Sequence, residues 1–199
     1  MRIVAGKYKG RFIKAVSGEN TRPTTDRVRE AWGSTIISLL SEGFEGARVL
    51  DAFAGSGALG LEALSRGAEH VVFCERDHAA QKTIGGNIAK LDGAMDKTTV
   101  LAMDVFLIRA IKDLEEYGPY QLILLDPPYS VSVADVKLLL ERLIAQGSLA
   151  PGALVTYEHR KDKKGSSEGQ SFVESSPAGL TMVSCKVYGS TQIDYLRYQ

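Results

Sequence analysis

The sequence predicts an α/β fold in which a doubly wound, mainly parallel sheet carries helices on both faces. Short apolar runs of strand length alternate along the chain with longer segments whose apolar residues recur at helical spacing. One run leads through a glycine-rich turn into a helix, and several end in an acidic residue. Repeated βα units of this kind are typical of a parallel sheet, whose ligands bind outside the carboxyl ends of the strands.

The N-terminal segment is basic and is predicted to form a short β-hairpin. Residues 1–29 contain eight Lys or Arg and two acidic residues, a balance of +6, so the rest of this neutral chain carries −6. We therefore divide the chain into an arm, 1–20, and one domain, 21–199. A basic arm indicates nucleic-acid binding, and a solvated hairpin face without a partner is the alternative. The predicted nucleic-acid-binding residues are Arg2, Lys7, Lys9, Arg11, Arg22 and Arg27.

The remaining elements are predicted in order along the chain. A first helix follows the arm, because Thr24 or Thr25 can cap its N-terminus and apolar residues recur from Val28 to Leu40, although Gly33 weakens it. Four βα units come next, with strands at 49–53, 71–75, 98–102 and 121–125 and helices at 57–66, 77–92, 105–117 and 133–146. A fifth strand is predicted at 154–158, and the loop 160–171 fits no pattern that gives it a role. Strands at about 171–175 and 181–188 are expected to pair antiparallel before 192–198 closes the chain.

The fourth predicted strand ends in the rare tetrad Asp126-Pro127-Pro128-Tyr129, which suits the handling of a planar amino group. The Asp126 carboxylate and the Pro127 carbonyl can each accept one N–H of an exocyclic amine, which leaves the nitrogen lone pair available. The prolines fix the backbone and remove competing N–H donors. Tyr129 offers a ring on which a base can stack. The tetrad is therefore predicted to be catalytic, and the alternative is that it only terminates a strand.

The first βα unit carries the predicted cofactor site. The turn at 55–60 has the spacing G-x-G-x-x-G, which by itself is also a weak match to dinucleotide-binding proteins. Asp51 precedes this turn, where a carboxylate would repel a pyrophosphate but attract the ammonium of an amino-acid group. Glu75 ends the next strand and can accept both hydroxyls of a ribose. Asp104 follows the third strand and is a candidate acceptor for an adenine amino group. These features favour S-adenosylmethionine.

Taken together, these motifs resemble those of the S-adenosylmethionine-dependent amino-methyltransferases, and more narrowly the bacterial 16S rRNA guanine-N2 methyltransferases. The resemblance runs from 1–11 through 22–30 to 186–191. It implies a seven-stranded Rossmann-like methyltransferase sheet with an N-terminal β-hairpin extension. It further implies methyl transfer from S-adenosylmethionine to the N2 amine of a guanine in 16S rRNA, with S-adenosylhomocysteine as product and an assembling small ribosomal subunit as partner.

The resemblance also implies roles for individual residues. The catalytic group would be Asp126, Pro127, Pro128 and Tyr129. The cofactor-binding residues would be Thr24, Asp51, Phe53, Ala54, Gly55, Ser56, Gly57, Glu75, Arg76, Asp104 and Val105. The methyl group would move by direct in-line displacement, and proximity and orientation would supply most of the rate because the sulfonium is already activated.

Composition narrows the class of protein. Hydrophobic residues make up 44% of the chain and charged residues 24%, as in ordinary soluble globular proteins. No apolar run approaches the roughly 20 residues that span a membrane, and the N-terminal residues lack the apolar core of a secretory signal. Cys74 and Cys185 are expected to be buried free thiols. We therefore expect a cytoplasmic monomer with no membrane partner.

Three other functions remain open at this point. A nicotinamide-dependent oxidoreductase would explain the turn at 55–60 and Glu75, but neither the tetrad nor the basic arm. An amino-methyltransferase could act on adenine N6 or on another RNA, since the tetrad suits either amine. A non-catalytic RNA-binding module would not need the cofactor motifs. No metal is expected, because His70, Cys74 and His78 straddle a strand and its flanks instead of sharing a helix.

Overall fold

The computed structural model describes residues 1–16, 26–161, 172 and 176–199. Its helices are α1 (Asp26–Leu39), α2 (Ala58–Ser65), α3 (His78–Ile88), α4 (Ile108–Glu115) and α5 (Val133–Ala145). Its strands are β1 (Arg48–Asp51), β2 (His70–Glu75), β3 (Thr98–Ala102), β4 (Tyr120–Leu125), β5 (Leu149–Arg160), β6 (Leu180–Tyr188) and β7 (Thr191–Tyr198). The four predicted βα units are present, and their helices begin and end within a few residues of the predicted bounds.

The seven strands form one sheet in the order β3-β2-β1-β4-β5-β7-β6. The first five strands of that order are parallel, whereas β7 runs antiparallel to β5 and β6 antiparallel to β7. The doubly wound sheet predicted from the sequence is confirmed. The chain winds outward in one direction through β2 and β3 and in the other through β4 and β5, so the topology switches between β1 and β4. Connections diverge there, which leaves a crevice at the carboxyl ends of the strands.

Two hydrophobic layers cover the sheet. On one face the core includes Trp32 and Ile36 of α1, Leu61 of α2 and Ile84 of α3. On the other face α4 and α5 pack through a second apolar cluster that includes Leu114 and seven buried residues of β4 and α5. Strands β1, β2 and β4 are buried on both faces, which explains why they read as nearly continuous apolar runs. Strand β3, at the edge of the sheet, is only partly buried.

The closing antiparallel pair differs from the prediction. It is formed by β6 and β7, and β7 lies inside the sheet between β5 and β6. Residues 191–198 are buried on both sides over most of their length, as an interior strand must be, whereas β6 alternates toward solvent as an edge strand. The predicted strand at 171–175 lies outside the described residues except for Phe172, which is buried. The edge position also explains why Cys185 is exposed, contrary to prediction, while Cys74 is buried.

The N-terminal segment is a tightly packed loop with hairpin-like pairing. Arg2 and Phe12 form an isolated antiparallel bridge, and Ile3 and Arg11 share a backbone hydrogen bond of 3.0 Å. Ile3, Tyr8 and Ile13 are buried in the core. The segment is therefore held on the surface of the domain, and it does not project as a free arm.

Buried polar side chains of α2 and α3 hold this segment in place. The Glu62 carboxylate, 1% exposed, accepts hydrogen bonds from the backbone N–H groups of Val4 (2.8 Å) and Ala5 (3.0 Å). The Asn87 amide binds the backbone of Lys14 through both its oxygen and its nitrogen, and also donates to the Ser56 carbonyl. Asn87 therefore connects the N-terminal segment to the glycine-rich turn.

The unexpected Gly33 in α1 has a packing reason. A Cβ atom at this position would lie 2.4 Å from Cζ of Arg66, so only glycine leaves room for the guanidinium. Arg66 in turn donates to the Glu62 carboxylate (2.9 Å). The predicted caps of α1, Thr24 and Thr25, lie outside the described residues. Among the helices that the structure describes, none combines the length and apolar character needed to cross a membrane.

Candidate functional site

The crevice at the carboxyl edge of the sheet is a cleft of about 820 Å³. The strand order places four acidic residues side by side along it. Glu75 and Asp51 end β2 and β1, Asp126 directly follows β4, and Glu158 lies near the carboxyl end of β5. Its size is typical of sites for small molecules and cofactors. This edge is therefore the candidate active site.

The glycine-rich turn forms one wall of the cleft. Backbone hydrogen bonds extend β1 past its end, from Ala52 to the Leu124 carbonyl (3.1 Å) and from Ala54 to the Cys74 carbonyl (3.0 Å). Gly57 then reverses the chain with φ at 78° and leads into α2. Gly60 lets α2 lie directly against β2, since a Cβ there would be 2.3 Å from the Phe73 ring. The turn is fixed by sheet and helix together, and its backbone faces the cleft.

Glu75 holds the turn and the start of α3 with a single carboxylate. Its Oε2 accepts from the Gly55 N–H (2.8 Å), and its Oε1 accepts from the Asp77 N–H (2.7 Å). The side chain of Asp77 then caps α3 by accepting from Ala80 (2.8 Å). The Glu75 carboxylate is thereby fixed in orientation while it lines the cleft.

Asp51 is almost fully buried, at 2% exposure, yet it lines the same cleft. Its Oδ2 accepts a hydrogen bond from the Gly60 N–H (3.0 Å). Burial raises the pKa of this carboxyl to about 7. The Gly60 hydrogen bond opposes this shift, and the nearby Asp126 and Glu75 carboxylates add to it. A cation bound beside Asp51 would stabilise its charged form.

A mixed polar and aromatic group closes the β3 end of the cleft. The Asp104 carboxylate accepts from the Phe106 N–H (3.0 Å) and pairs with Arg76 at 3.2 Å. The rings of Phe53 and Phe106 lie 5.6 Å apart. With Val105, all of these residues line the cleft. A flat aromatic group with a polar edge would fit such a wall.

The tetrad follows the buried strand β4 and projects into the cleft. Asp126 is exposed and Pro127 is buried, and the Pro128 carbonyl accepts from the Val131 N–H (2.9 Å), which closes a turn. The Tyr129 ring is 55% exposed. The guanidinium of Arg160 already lies over it, with Cζ 4.2 Å from the ring centre. A base that stacks on Tyr129 therefore uses the other face of the ring or takes the place of Arg160.

Every described residue that the sequence assigned to catalysis or cofactor binding lines the cleft except Gly57, which shapes the turn. Thr24 and Arg22 lie outside the described residues. The sequence analysis missed several lining residues, including Arg29, Phe106 and Glu158. Glu158 could have been found by the rule that selected Asp51 and Glu75, since it too is an acid that comes directly after an apolar strand run.

The charge of Asp126, in the tetrad, acts on the neighbouring carboxyl of Glu158. Glu158 is half-buried, and burial together with the charge of Asp126 raises its pKa to about 8. Positive charge near the cleft comes from Arg76 and Arg29, and the latter is buried and donates to Asp26 (2.6 Å). Acids thus outnumber bases around the cleft. Among the residues that the structure describes, no cluster of three or more His, Cys, Asp or Glu is arranged to hold a metal ion.

The predicted RNA-binding residues that the structure describes do not line the cleft. The tip of the N-terminal segment contacts the far end of α2, where the Lys7 N–H donates to the Ser65 carbonyl (2.7 Å). The Lys7 ammonium donates to the Asp92 carbonyl and lies over the Tyr8 ring. Arg2 is paired with Asp26 at 2.7 Å. The remaining described members of the set, which are exposed and form no ion pair with described residues, are Lys9, Arg11 and Arg27.

Comparisons with known proteins agree along the length of the chain. The family described as conserved hypothetical protein 95 matches residues 1–197. The chain is 38% identical over 162 residues to YlbH of Bacillus subtilis (strain 168), described as a proposed rRNA methyltransferase, with 81% of this chain and 84% of YlbH covered. It is 34% identical over 200 residues to ribosomal RNA small subunit methyltransferase D of Escherichia coli (strain K12), with 100% and 89% covered. The solved structure of yhhF from Escherichia coli, described as a proposed methyltransferase, superposes with a TM-score of 0.77 at 30% identity, with 100% of this chain and 98% of that one covered.

Proposed function

Because this chain belongs to the family described as conserved hypothetical protein 95, and its relatives include proteins named as rRNA methyltransferases, we propose that it methylates the N2 amine of a guanine in small-subunit rRNA with S-adenosylmethionine as donor. One observation carries the proposal. The Asp126–Tyr129 tetrad and the turn at 55–60 line the same cleft, together with Asp51 and Glu75. An amine-binding group and a cofactor wall thus share one cleft.

The acidic cleft fits S-adenosylmethionine, which carries a sulfonium and an ammonium against one carboxylate. Asp51 would hold the ammonium, and the ion pair would restore its charged form against the burial that raises its pKa. The Glu75 carboxylate, already oriented by two backbone N–H groups, would accept from the ribose hydroxyls. Asp104 would accept from the adenine amine, and the rings of Phe53 and Phe106 would enclose the base. When bound, the cofactor supplies a methyl group that its sulfonium has already activated.

The residues of the tetrad would prepare the acceptor amine. The Asp126 carboxylate and the Pro127 carbonyl would each accept one N–H of the guanine N2 group, so that its lone pair points toward the cofactor side of the cleft. Asp126 is exposed at the mouth and therefore accessible to a base. When the new N–C bond forms, the nitrogen must lose one proton, and Asp126 is placed to accept it. A methylated aryl-ammonium is strongly acidic, so a weak base suffices.

The RNA would present a single splayed-out base to this cleft, at a cost of a few kcal/mol. An acidic cleft repels phosphate groups, which favours entry of the base alone. Phosphates would bind at exposed basic residues such as Lys9, Arg11 and Arg27, and local RNA shape would supply most of the specificity. An assembling small ribosomal subunit is the proposed substrate particle.

The proposal is tested by incubating the purified protein and S-adenosylmethionine with unmodified 16S rRNA and with small-subunit particles assembled from it. Nucleoside mass spectrometry identifies the product. We expect N2-methylguanosine. Finding only N6-methyladenosine would overturn the choice of amine, and the absence of any methylated nucleoside from both substrates, with cofactor binding intact by calorimetry, would overturn the methyltransferase proposal.

A further inference from the structure

We propose that Glu158 is a specificity-determining residue, whose carboxylate accepts a hydrogen bond from the guanine N1–H while Asp126 binds the neighbouring N2 amine. This inference rests on the proposed function above and adds a second contact at the same site. It concerns how the cleft distinguishes guanine from other bases that carry an exocyclic amine.

The sheet register places Glu158 beside Asp126. In the parallel pairing of β4 with β5, Leu124 lies opposite Thr156 and Leu125 opposite Tyr157. Continuing this register by one residue on each strand puts Asp126 opposite Glu158. Adjacent strands are about 4.7–4.9 Å apart, and the two carboxylates are close enough for the charge of Asp126 to raise the pKa of Glu158.

Glu158 also faces the tetrad itself. It lines the main cleft together with Asp126, and it lines a small adjoining cavity together with Pro127, Pro128 and Tyr129. Its neighbour His159 is buried and lies 3.1 Å from Asp194 of β7, which also accepts from the Phe172 N–H. Contacts with β7 thus fix the end of β5, so that Glu158 has a defined position beside the proposed amine site.

The Watson–Crick edge of guanine matches two adjacent acceptors. Its N1–H and its N2 amine are neighbouring donors, so one carboxylate can take each. In adenine the atom next to the N6 amine is N1, which is an acceptor and would meet an ionised Glu158 with no hydrogen between them. Sites that hydrogen-bond a substrate group discriminate strongly against analogues that lack it, because a buried polar group is left unpaired.

The protonation state of Glu158 makes the inference testable in the wild-type protein. Burial and Asp126 raise its pKa to about 8. Tyr195 of β7 faces the same carboxyl, and burial raises its pKa so that it stays neutral over this range. Arg160 follows Glu158 in the chain and lies over Tyr129. A protonated Glu158 can donate to an N1 acceptor, whereas an ionised one can only accept.

The experiment compares RNA that carries guanine or 2,6-diaminopurine at the target position. Both bases have the N2 amine, but N1 of diaminopurine has no hydrogen. The wild-type protein is compared with Glu158→Gln, whose amide can accept from or donate to N1. Glu141→Gln, an exposed position on α5, is the matched control for loss of one carboxylate. The readout is kcat/KM for N2-methylation of each RNA, and calorimetry with S-adenosylhomocysteine checks that the cofactor site is intact.

Above about pH 8, where Glu158 is mostly ionised, we expect the wild type and Glu141→Gln to favour guanine by at least tenfold, and Glu158→Gln to lose most of this preference. The change at position 6 of the base is the same for all three proteins, so the difference between them isolates the contact to residue 158. For the wild type, the preference for guanine should rise with pH from about pH 6 to about pH 9, as Glu158 loses its proton.

Two results would overturn the inference. One is an unchanged preference for guanine in Glu158→Gln. The other, which does not depend on any variant folding, is a wild-type preference that stays flat or falls with pH. If instead the wild type methylates no guanine-containing RNA, the proposed function itself fails, and the two failures are therefore distinguishable.

Discussion

At the scale of single residues, the four acids along the cleft differ in how the fold uses them. Two backbone N–H groups fix the Glu75 carboxylate. Asp51 is buried and accepts a hydrogen bond from the Gly60 N–H, whereas Asp126 is exposed at the mouth of the cleft. Burial raises the pKa of Asp51 to about 7, and burial together with the charge of Asp126 raises that of Glu158 to about 8. Each acid therefore leads to its own prediction.

Replacing Glu75 should weaken cofactor binding. Glu75→Ala removes charge-assisted hydrogen bonds worth roughly 1.5–3 kcal/mol, so the Kd for S-adenosylhomocysteine should rise by one to two orders of magnitude. Glu75→Gln should not restore binding, because its amide nitrogen would have to face the N–H of Gly55 or of Asp77. Isothermal titration calorimetry measures both, with exposed Glu69→Ala as control. An unchanged Kd in Glu75→Ala would remove this residue from the cofactor site.

Asp51 should make the free protein less stable as pH rises. Its pKa is raised from about 3.9 to about 7 in the folded state, so the folded protein binds the proton more tightly than the unfolded chain. Stability is therefore lost between those two values and stays lost above about pH 7. Asp51→Asn keeps an acceptor for the Gly60 N–H but cannot ionise, and should be more stable than the wild type above pH 7, by at most about 4 kcal/mol.

Urea unfolding at several pH values measures this difference, and calorimetry should show that Asp51→Asn binds S-adenosylhomocysteine more weakly. The stabilisation should disappear below about pH 4, where Asp51 is protonated in both the folded and the unfolded protein. If Asp51→Asn is instead less stable than the wild type by the same free energy at every pH, Asp51 is ionised in the free protein.

Replacing Asp126 should affect turnover far more than binding of the cofactor. Asp126→Ala removes the acceptor for the substrate amine, so kcat should fall by more than tenfold, a loss above roughly 1.4 kcal/mol. Folding should be preserved because the side chain is exposed. Single-turnover methylation assays test this against Asp113→Ala, an exposed acid on α4. Retention of more than about a tenth of wild-type kcat would mean that another group polarises the amine.

At the scale of elements, the N-terminal segment has a structural role as well as a charge. Its backbone is bound by Glu62 and Asn87, and its ends line the cleft through Met1, Ala15 and Val16. Its tip lies at the other end of α2, an eight-residue helix that is about 12 Å long. Basic residues at the tip are thus separated from the chemistry, and Lys7 is occupied by contacts within the protein.

The exposed basic residues of this segment should determine the salt dependence of RNA binding. Lys9→Ala with Arg11→Ala should weaken binding and reduce the slope of log K against log salt by up to about 2, since each lost phosphate contact removes about 0.7–0.9. Arg109→Ala with Lys112→Ala on α4, at the opposite face of the sheet, is a control of equal charge. Equal slopes for the two double variants would show that the N-terminal segment does not contact phosphates.

At the scale of the whole molecule, both faces of the sheet contribute side chains to the site at its carboxyl edge. The strand order gathers the carboxyl ends of β2, β1, β4 and β5 at the topological switch point, so residues that are far apart in sequence line one cleft. In the core between β4 and α5, apolar side chains such as Ile123, Leu139 and Leu140 pack together away from the cleft. Removal of apolar groups there should therefore affect stability without altering the chemistry.

The parallel part of the fold could be predicted from sequence because its inner strands are buried on both faces and its helices are amphipathic. The antiparallel edge was predicted less well, since β6 and β7 are adjacent in the chain but only packing against β5 determines which of them is interior. Gly33 looked like a defect because helix propensity is local. The glycine is needed because the guanidinium of Arg66, at the C-terminal end of α2, packs against this position.

What the sequence determined by itself were the features that depend on neighbouring residues: the βα alternation, the glycine-rich turn, the acids at strand ends and the Asp126–Tyr129 tetrad. Only the tertiary structure decided that Glu158 stands beside Asp126, that Arg160 covers Tyr129, and that the basic segment is held against α2 and α3. The physical reason is that these contacts join strands and helices distant in the chain. Their energies depend on strand order and burial, and neither is encoded in any short stretch of residues.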